Sequence, residues 1–96
     1  MVIGVCHITL LIHSSSSLKD KRQALKSIMA KVKNRFNASV AEVGAHDLLQ
    51  RAQIGVAVAG SDAHVVNSVV DKVVSFVEEL HLVQVVDHRI EIIHAA

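Results

Sequence analysis

The chain has 96 residues, 51% of them hydrophobic and 20% charged, with a formal net charge of +1. That length suits one domain over residues 1–96, and the composition excludes both a disordered chain and a highly charged one. Proline, tryptophan and tyrosine are absent and Phe36 and Phe76 are the only aromatics, so the core is expected to be Val, Ile, Leu and Ala.

The opening run, "MVIGVCHITLLIH", alternates in character. Val2, Cys6, Ile8, Leu10 and Ile12 share one parity, and Ile3, Val5, His7, Thr9, Leu11 and His13 share the other. A strand over residues 2–13 follows, with one core face and one mixed face. The run has no positively charged start and no small-residue cleavage site, so it does not read as a signal peptide. No stretch approaches the roughly 20 apolar residues that cross a bilayer. A cytoplasmic protein without membrane attachment is expected. Cys6 is the single cysteine; it has no partner for an intramolecular disulfide and is expected to be a buried, inert thiol.

After "SSSS", Ser17 followed by Asp20 has the spacing of a capping box. Leu18, Leu25, Ile28, Met29, Val32 and Phe36 then recur at helical spacing and form one apolar stripe. "NASVAEVG" (37–44) and "RAQIGVAVAG" (51–60) read as two short strands joined by "AHDLLQ". In the second of them Ala52, Ile54, Val56 and Val58 hold the core parity. Residues 61–81 are rich in valine, which favours strand locally. Their period decides for helix: Val66, Val69, Val70, Val73, Val77 and Leu80 share one side, opposite Asn67, Asp71 and Glu78. The last strand is 83–94, with Val86, Ile90 and Ile92 expected on the core side. Two helices with apolar stripes in a βαββαβ order need one face of a four-stranded antiparallel sheet. This predicts the α+β ferredoxin-like plait.

"VIGVCHITLLI", "SLKDKRQALKSIMAKVKNRFNASVAEV", "DLLQRAQIGVAVAGSD" and "VDKVVSFVEEL" together resemble the YlxP-like family of small bacterial proteins. The resemblance runs in order along nearly the whole chain. The positions that match are Leu18, Lys19, Lys21, Arg22, Phe36, Asn37, Glu42, Asp47 and Arg51, while Gly44 and Leu49 depart from the pattern. The resemblance implies a ferredoxin-like fold in a domain of unknown function, and no catalytic residues. It also implies genes that neighbour those of transcription elongation and translation initiation, which points to RNA or the ribosome.

The charge is polarised. Residues 18–37 carry seven positive and one negative charge, net +6, and the remainder carries three positive and eight negative, net −5. At about 100° per residue, Lys19, Arg22, Lys26 and Lys33 fall within about 60° on one flank of the helix. Lys31 and Arg35 fall on the opposite flank. A cation stripe of this kind can track a phosphate backbone, and the serine-preceded helix N-terminus offers N–H groups to one more phosphate. The candidate nucleic-acid-binding residues are Lys19, Lys21, Arg22, Lys26 and Lys33. A solvated polar face is the plain alternative. Base stacking on the sheet is not expected, because the open-face positions His7, Thr9, Gly55, Ala57 and Ala59 include no aromatic.

Other chemistry finds little support. The seven histidines form no HxxxH or HxH pair, so no metal and no cofactor are expected. His7 is expected near Arg89 and Glu91 as a structural polar cluster. Glu42, Asp47 and Arg51 are a candidate polar cluster at the hairpin between the second and third strands. No phosphate loop, dinucleotide fingerprint or nucleophile elbow is present, so an enzyme is not expected. The uncovered sheet face, with Ile3, Val5, Leu11, Gly55, Ala57, Ala59, Val83 and Val85, suggests a homodimer. The reading is a non-enzymatic accessory factor that binds structured RNA or ribosomal particles. Its rival is a dimeric protein-interaction or small-molecule regulatory module; against the ligand-binding version, residues 14–17 are all serine rather than a glycine-rich loop.

Overall fold

The computed structural model describes all residues from 1 to 96. Six elements follow in chain order: β1 (Val2–Leu11), α1 (Leu18–Arg35), β2 (Ser39–Gly44), β3 (Arg51–Gly60), α2 (Ala63–Glu79) and β4 (Gln84–His94). The strands form one antiparallel sheet in the order β2-β3-β1-β4, and both helices lie against the same face of it. This is the ferredoxin-like plait.

Strand parity builds the core. Cys6, Ile8 and Leu10 of β1 and Ala52, Ile54, Val56 and Val58 of β3 are all buried on the helix side. α1 meets them through Leu25, Ile28 and Val32, and α2 through Val66, Val70, Val73 and Val77. Each such side chain contributes about 1.5–3 kcal/mol when fully buried, which holds α2 helical despite its many β-branched residues. α2 comes unusually close to β1 because Gly4 has no Cβ; one there would sit 2.6 Å from Val66 and 2.8 Å from Val70. The two aromatics meet between the helices, Phe36 edge-on to Phe76 at 5.6 Å.

Both helices begin on a side-chain cap. The Ser17 hydroxyl accepts from the Asp20 N–H at 3.1 Å, and Asp62 accepts from the N–H groups of His64 and Val65. α2 ends with His81 in the left-handed region, φ 56°, the usual way for a helix to turn off. The chain's two ends pair. Met1 N donates to Ala95 O at 3.0 Å and Ala95 N to Met1 O at 2.8 Å, which extends the β1–β4 ladder.

Two bulges change the expected facing of residues. Against β1, Thr9 pairs with Asp87 but Leu10 with Val85, so Val86 is the extra residue. The slip reverses parity along the start of β4. Val83 and Val85, expected on the open face, pack against the core instead. Val86, expected in the core, is 40% exposed. Beyond the bulge, Ile90 stands beside Cys6 and Ile92 beside Gly4 on the core side, as expected. In β2, Glu42 pairs with Ile54 and Gly44 with Gln53, which leaves Val43 as the extra residue. Neither helix is long and apolar enough to cross a membrane.

Candidate functional site

α1 carries three classes of cation. Lys19, Arg22, Lys26 and Lys33 are exposed and none of their charged groups makes a hydrogen bond or ion pair within the chain. They run along one flank over 14 residues, about 21 Å at 1.5 Å per residue. Lys31 and Arg35, on the other flank, are engaged locally. Lys31 Nζ donates to the Ser27 hydroxyl at 2.7 Å, and the Arg35 guanidinium sits 5.3 Å over the Phe76 ring of α2. The stripe therefore turns away from the neighbouring helix, and its charges are free.

Lys21 is the third class, and it corrects the expectation of a phosphate contact. Its side chain is only 1% exposed, because it sits in the same stripe as Leu25, Ile28 and Val32, which are four, seven and eleven residues further on. Its Nζ donates to the Ala45 carbonyl at 2.6 Å and the His46 carbonyl at 3.4 Å, and lies 3.6 Å from the Glu42 carboxylate. Lys21 thus ties α1 to the turn after β2. Ala45 occupies the left-handed region there, φ 58°, a conformation that costs a residue with a Cβ about 1–2 kcal/mol. The bond to its carbonyl helps to hold it.

The expected cluster of Glu42, Asp47 and Arg51 is not assembled. Glu42 shares the helix-side parity of Val40 and pairs with Lys21, with His46 Nε2 3.8 Å away. Arg51 lies opposite Leu11 on the open face and Asp47 is exposed in the turn. Neither forms an ion pair. The start of α1 also differs from the expected anion site. Asp20 accepts from the Ser16 hydroxyl at 2.8 Å and the Ser16 N–H at 3.4 Å. These bonds hold its carboxyl below its ordinary pKa of 3.8. A carboxylate of the chain itself already stands where a phosphate was expected.

On the open face, His7 stands beside Arg89 and Val5 beside Glu91, as parity required. Arg89 approaches Asp87 at 3.9 Å, with both side chains largely exposed, a pairing worth little. No three His, Cys, Asp or Glu side chains gather closely enough to hold a metal ion. Burial pushes the Cys6 thiol up to about 11, opposed by a hydrogen bond with the Arg89 backbone and helped by the charge of Asp71.

The sequence model of a family described as "Protein of unknown function (DUF503)" matches residues 3–90. The chain belongs to this family. It is 34% identical over 77 residues to the uncharacterized protein YlxP of Bacillus subtilis (strain 168), a match covering 80% of this chain and 84% of that one. Among solved structures, the de novo designed protein Foldit4 superposes over 100% of both chains with a TM-score of 0.54 at 11% identity. That likeness concerns the fold alone. Membership of the DUF503 family brings no assigned activity, so the side chains themselves are the guide to function.

Proposed function

We propose that this DUF503 chain is a non-enzymatic accessory factor that binds structured RNA or ribosomal particles through the Lys19, Arg22, Lys26 and Lys33 stripe of α1. The observation that carries the reading is the freedom of those four charges. A cation with no internal partner gives up only water and counterions when it meets a phosphate, and each neutralised phosphate releases condensed ions. Positive residues in the first turn of a helix also oppose its dipole by a few tenths of a kcal/mol each. Lys19, the second residue of α1, therefore gains nothing from the helix dipole. Lys21 adds to stability through its buried contacts, and has no part in the interface.

The recognition is of backbone and shape rather than of bases. Phe36 and Phe76 are engaged with each other between the helices, so the sheet face carries no Phe, Tyr or Trp on which to stack a base. The test is binding of a structured ribosomal RNA fragment, followed by fluorescence anisotropy over a salt series. Wild type is expected to bind with a steep inverse salt dependence, and reversal of all four charges to Glu is expected to abolish binding with the circular dichroism unchanged. Absence of salt-dependent affinity near physiological ionic strength would overturn the proposal.

A further inference from the structure

The sheet face turned away from both helices has an uneven relief. Along β1 it presents Ile3, Val5 and His7, and the β3 residues paired with these are Ala59, Ala57 and Gly55. β2 continues the low ground, with Ser39 beside Ala57 and Ala41 beside Gly55. A ridge on β1 thus runs beside low ground at Ala57 and Ala41, within an open hollow of about 700 Å³ that reaches from β2 to β4; over Gly55 the Val43 side chain fills the space that a Cβ would need.

We propose that this face closes on a second copy of the chain, about a two-fold axis that runs along the strands between β1 and β3. Such an axis lays β1 of each copy over β3 of the other without changing row. Val5 then enters the gap above Ala57 and Ile3 the gap above Ala59, while His7 meets the Val43 side chain that covers Gly55, each contact occurring twice. An axis across the strands would instead set ridge on ridge and trough on trough, which leaves voids that packed interfaces avoid. Aligned sheets cross at about 30°, so the contact is tightest near the axis, where Val5, Ala57 and His7 lie.

The area suffices. Strands of 10, 6, 10 and 11 residues, about 4.8 Å apart at about 3.3 Å per residue, give about 590 Å² of flat surface per copy. The total, about 1,200 Å², stands at the lower end of the range of specific interfaces. Asp87, Arg89 and Glu91 of β4 lie at the margin, where they form a hydrated polar rim around an apolar centre. The proposal is independent of the α1 stripe, which lies on the helix side of the sheet.

Light scattering coupled to size exclusion, at about 10–100 μM, above the micromolar or tighter dissociation constants of stable interfaces, tests it. Wild type is expected at twice the 10.4 kDa of one chain. Ala57→Glu is expected to be monomeric. Ala57→Leu, though more apolar, is also expected to be monomeric, because it fills the trough that Val5 of the other copy enters. The exchange Val5→Ala with Ala57→Val is expected to restore the dimer that either change alone weakens. In a sample mixing 13C-labelled and unlabelled wild-type chains, a filtered NOE between the Val5 and Ala57 methyls of different copies is expected, and this readout needs no variant. A monomeric wild type, a missing filtered NOE, or a dimer strengthened by Ala57→Leu would each overturn the proposal.

Discussion

Lys21 Nζ lies 3.6 Å from the Glu42 carboxylate, with the lysine side chain 1% and the glutamate 16% exposed. The pair links the first turn of α1 to the end of β2, and the lysine completes it with two carbonyls of the following turn. Removing one partner leaves the other charge short of water, which is the costly way to break such a pair.

Lys21→Met keeps the apolar length of the side chain and deletes the charge. It is expected to lower unfolding stability by about 2–3 kcal/mol, less than a fully buried pair because Glu42 keeps some water. Urea unfolding measures this. Adding Glu42→Leu is expected to recover most of the loss. RNA affinity is expected to be unchanged in Lys21→Met, since this ammonium faces inward.

Among the free cations, Lys19→Ala, Arg22→Ala, Lys26→Ala and Lys33→Ala are each expected to reduce the slope of log K against log salt by about 0.7–0.9. The loss should be similar for unrelated RNA sequences. Lys31→Glu with Arg35→Glu is the control on the opposite flank and is expected to matter much less. Equal damage from both sets would mean that net charge, not the stripe, attracts RNA.

The cap of α1 makes its own prediction. Ser17→Ala removes the acceptor for the Asp20 N–H and is expected to cost about 1 kcal/mol. Asp20 titrates below 3.8 because Ser16 hydrogen-bonds its charged form. A depressed folded-state pKa means that the unfolded chain takes up the proton first as pH falls. The stabilisation is present above the unfolded pKa and is lost as pH falls through the folded one. An NMR titration of the carboxyl carbon is expected to give a midpoint below 3.8 in wild type and closer to it in Ser16→Ala.

Cys6 behaves in the opposite sense. Its thiol is raised from 9.0 to about 11 by burial, so the folded chain holds this proton where the unfolded chain has released it. Any stability tied to this group is unaffected below pH 9 and falls as pH rises toward about 11. At pH 8, iodoacetamide labelling is expected to be slow in water and to accelerate across the urea transition. Rapid labelling of the native chain would contradict a buried thiol.

Much of this structure was legible because long periods dominate. Parity placed β1 and β3 correctly on both faces, and the 3.6-residue period overrode valine's strand preference in α2. Angle arithmetic also placed the four-cation stripe. The same arithmetic pointed Lys21 at the core, in line with Leu25, Ile28 and Val32, but its charge suggested solvent. Likewise Glu42 shares the parity of Val40, a signal that it leaves the face of Arg51. The bulges were not legible. Val43 and Val86 are ordinary strand residues, and the residue-by-residue pairing that makes each of them extra is fixed only when the neighbouring strand is in place.

The interleaved order β2-β3-β1-β4 sets a timetable for synthesis. β1 leaves the ribosome first, yet it lies between two strands that are made later. Its neighbour β3 begins at Arg51 and β4 at Gln84. At about 5–20 residues per second, the unpaired N–H and C=O edge of β1 that faces β4 waits on the order of 4–20 seconds for its mate. The sheet is complete only when β4 has emerged from the exit tunnel to pair with β1. With no proline in the chain, no prolyl isomerisation follows to delay that last step. The interval in which the most apolar strand is half-paired therefore lasts until β4 has been both synthesised and released from the tunnel.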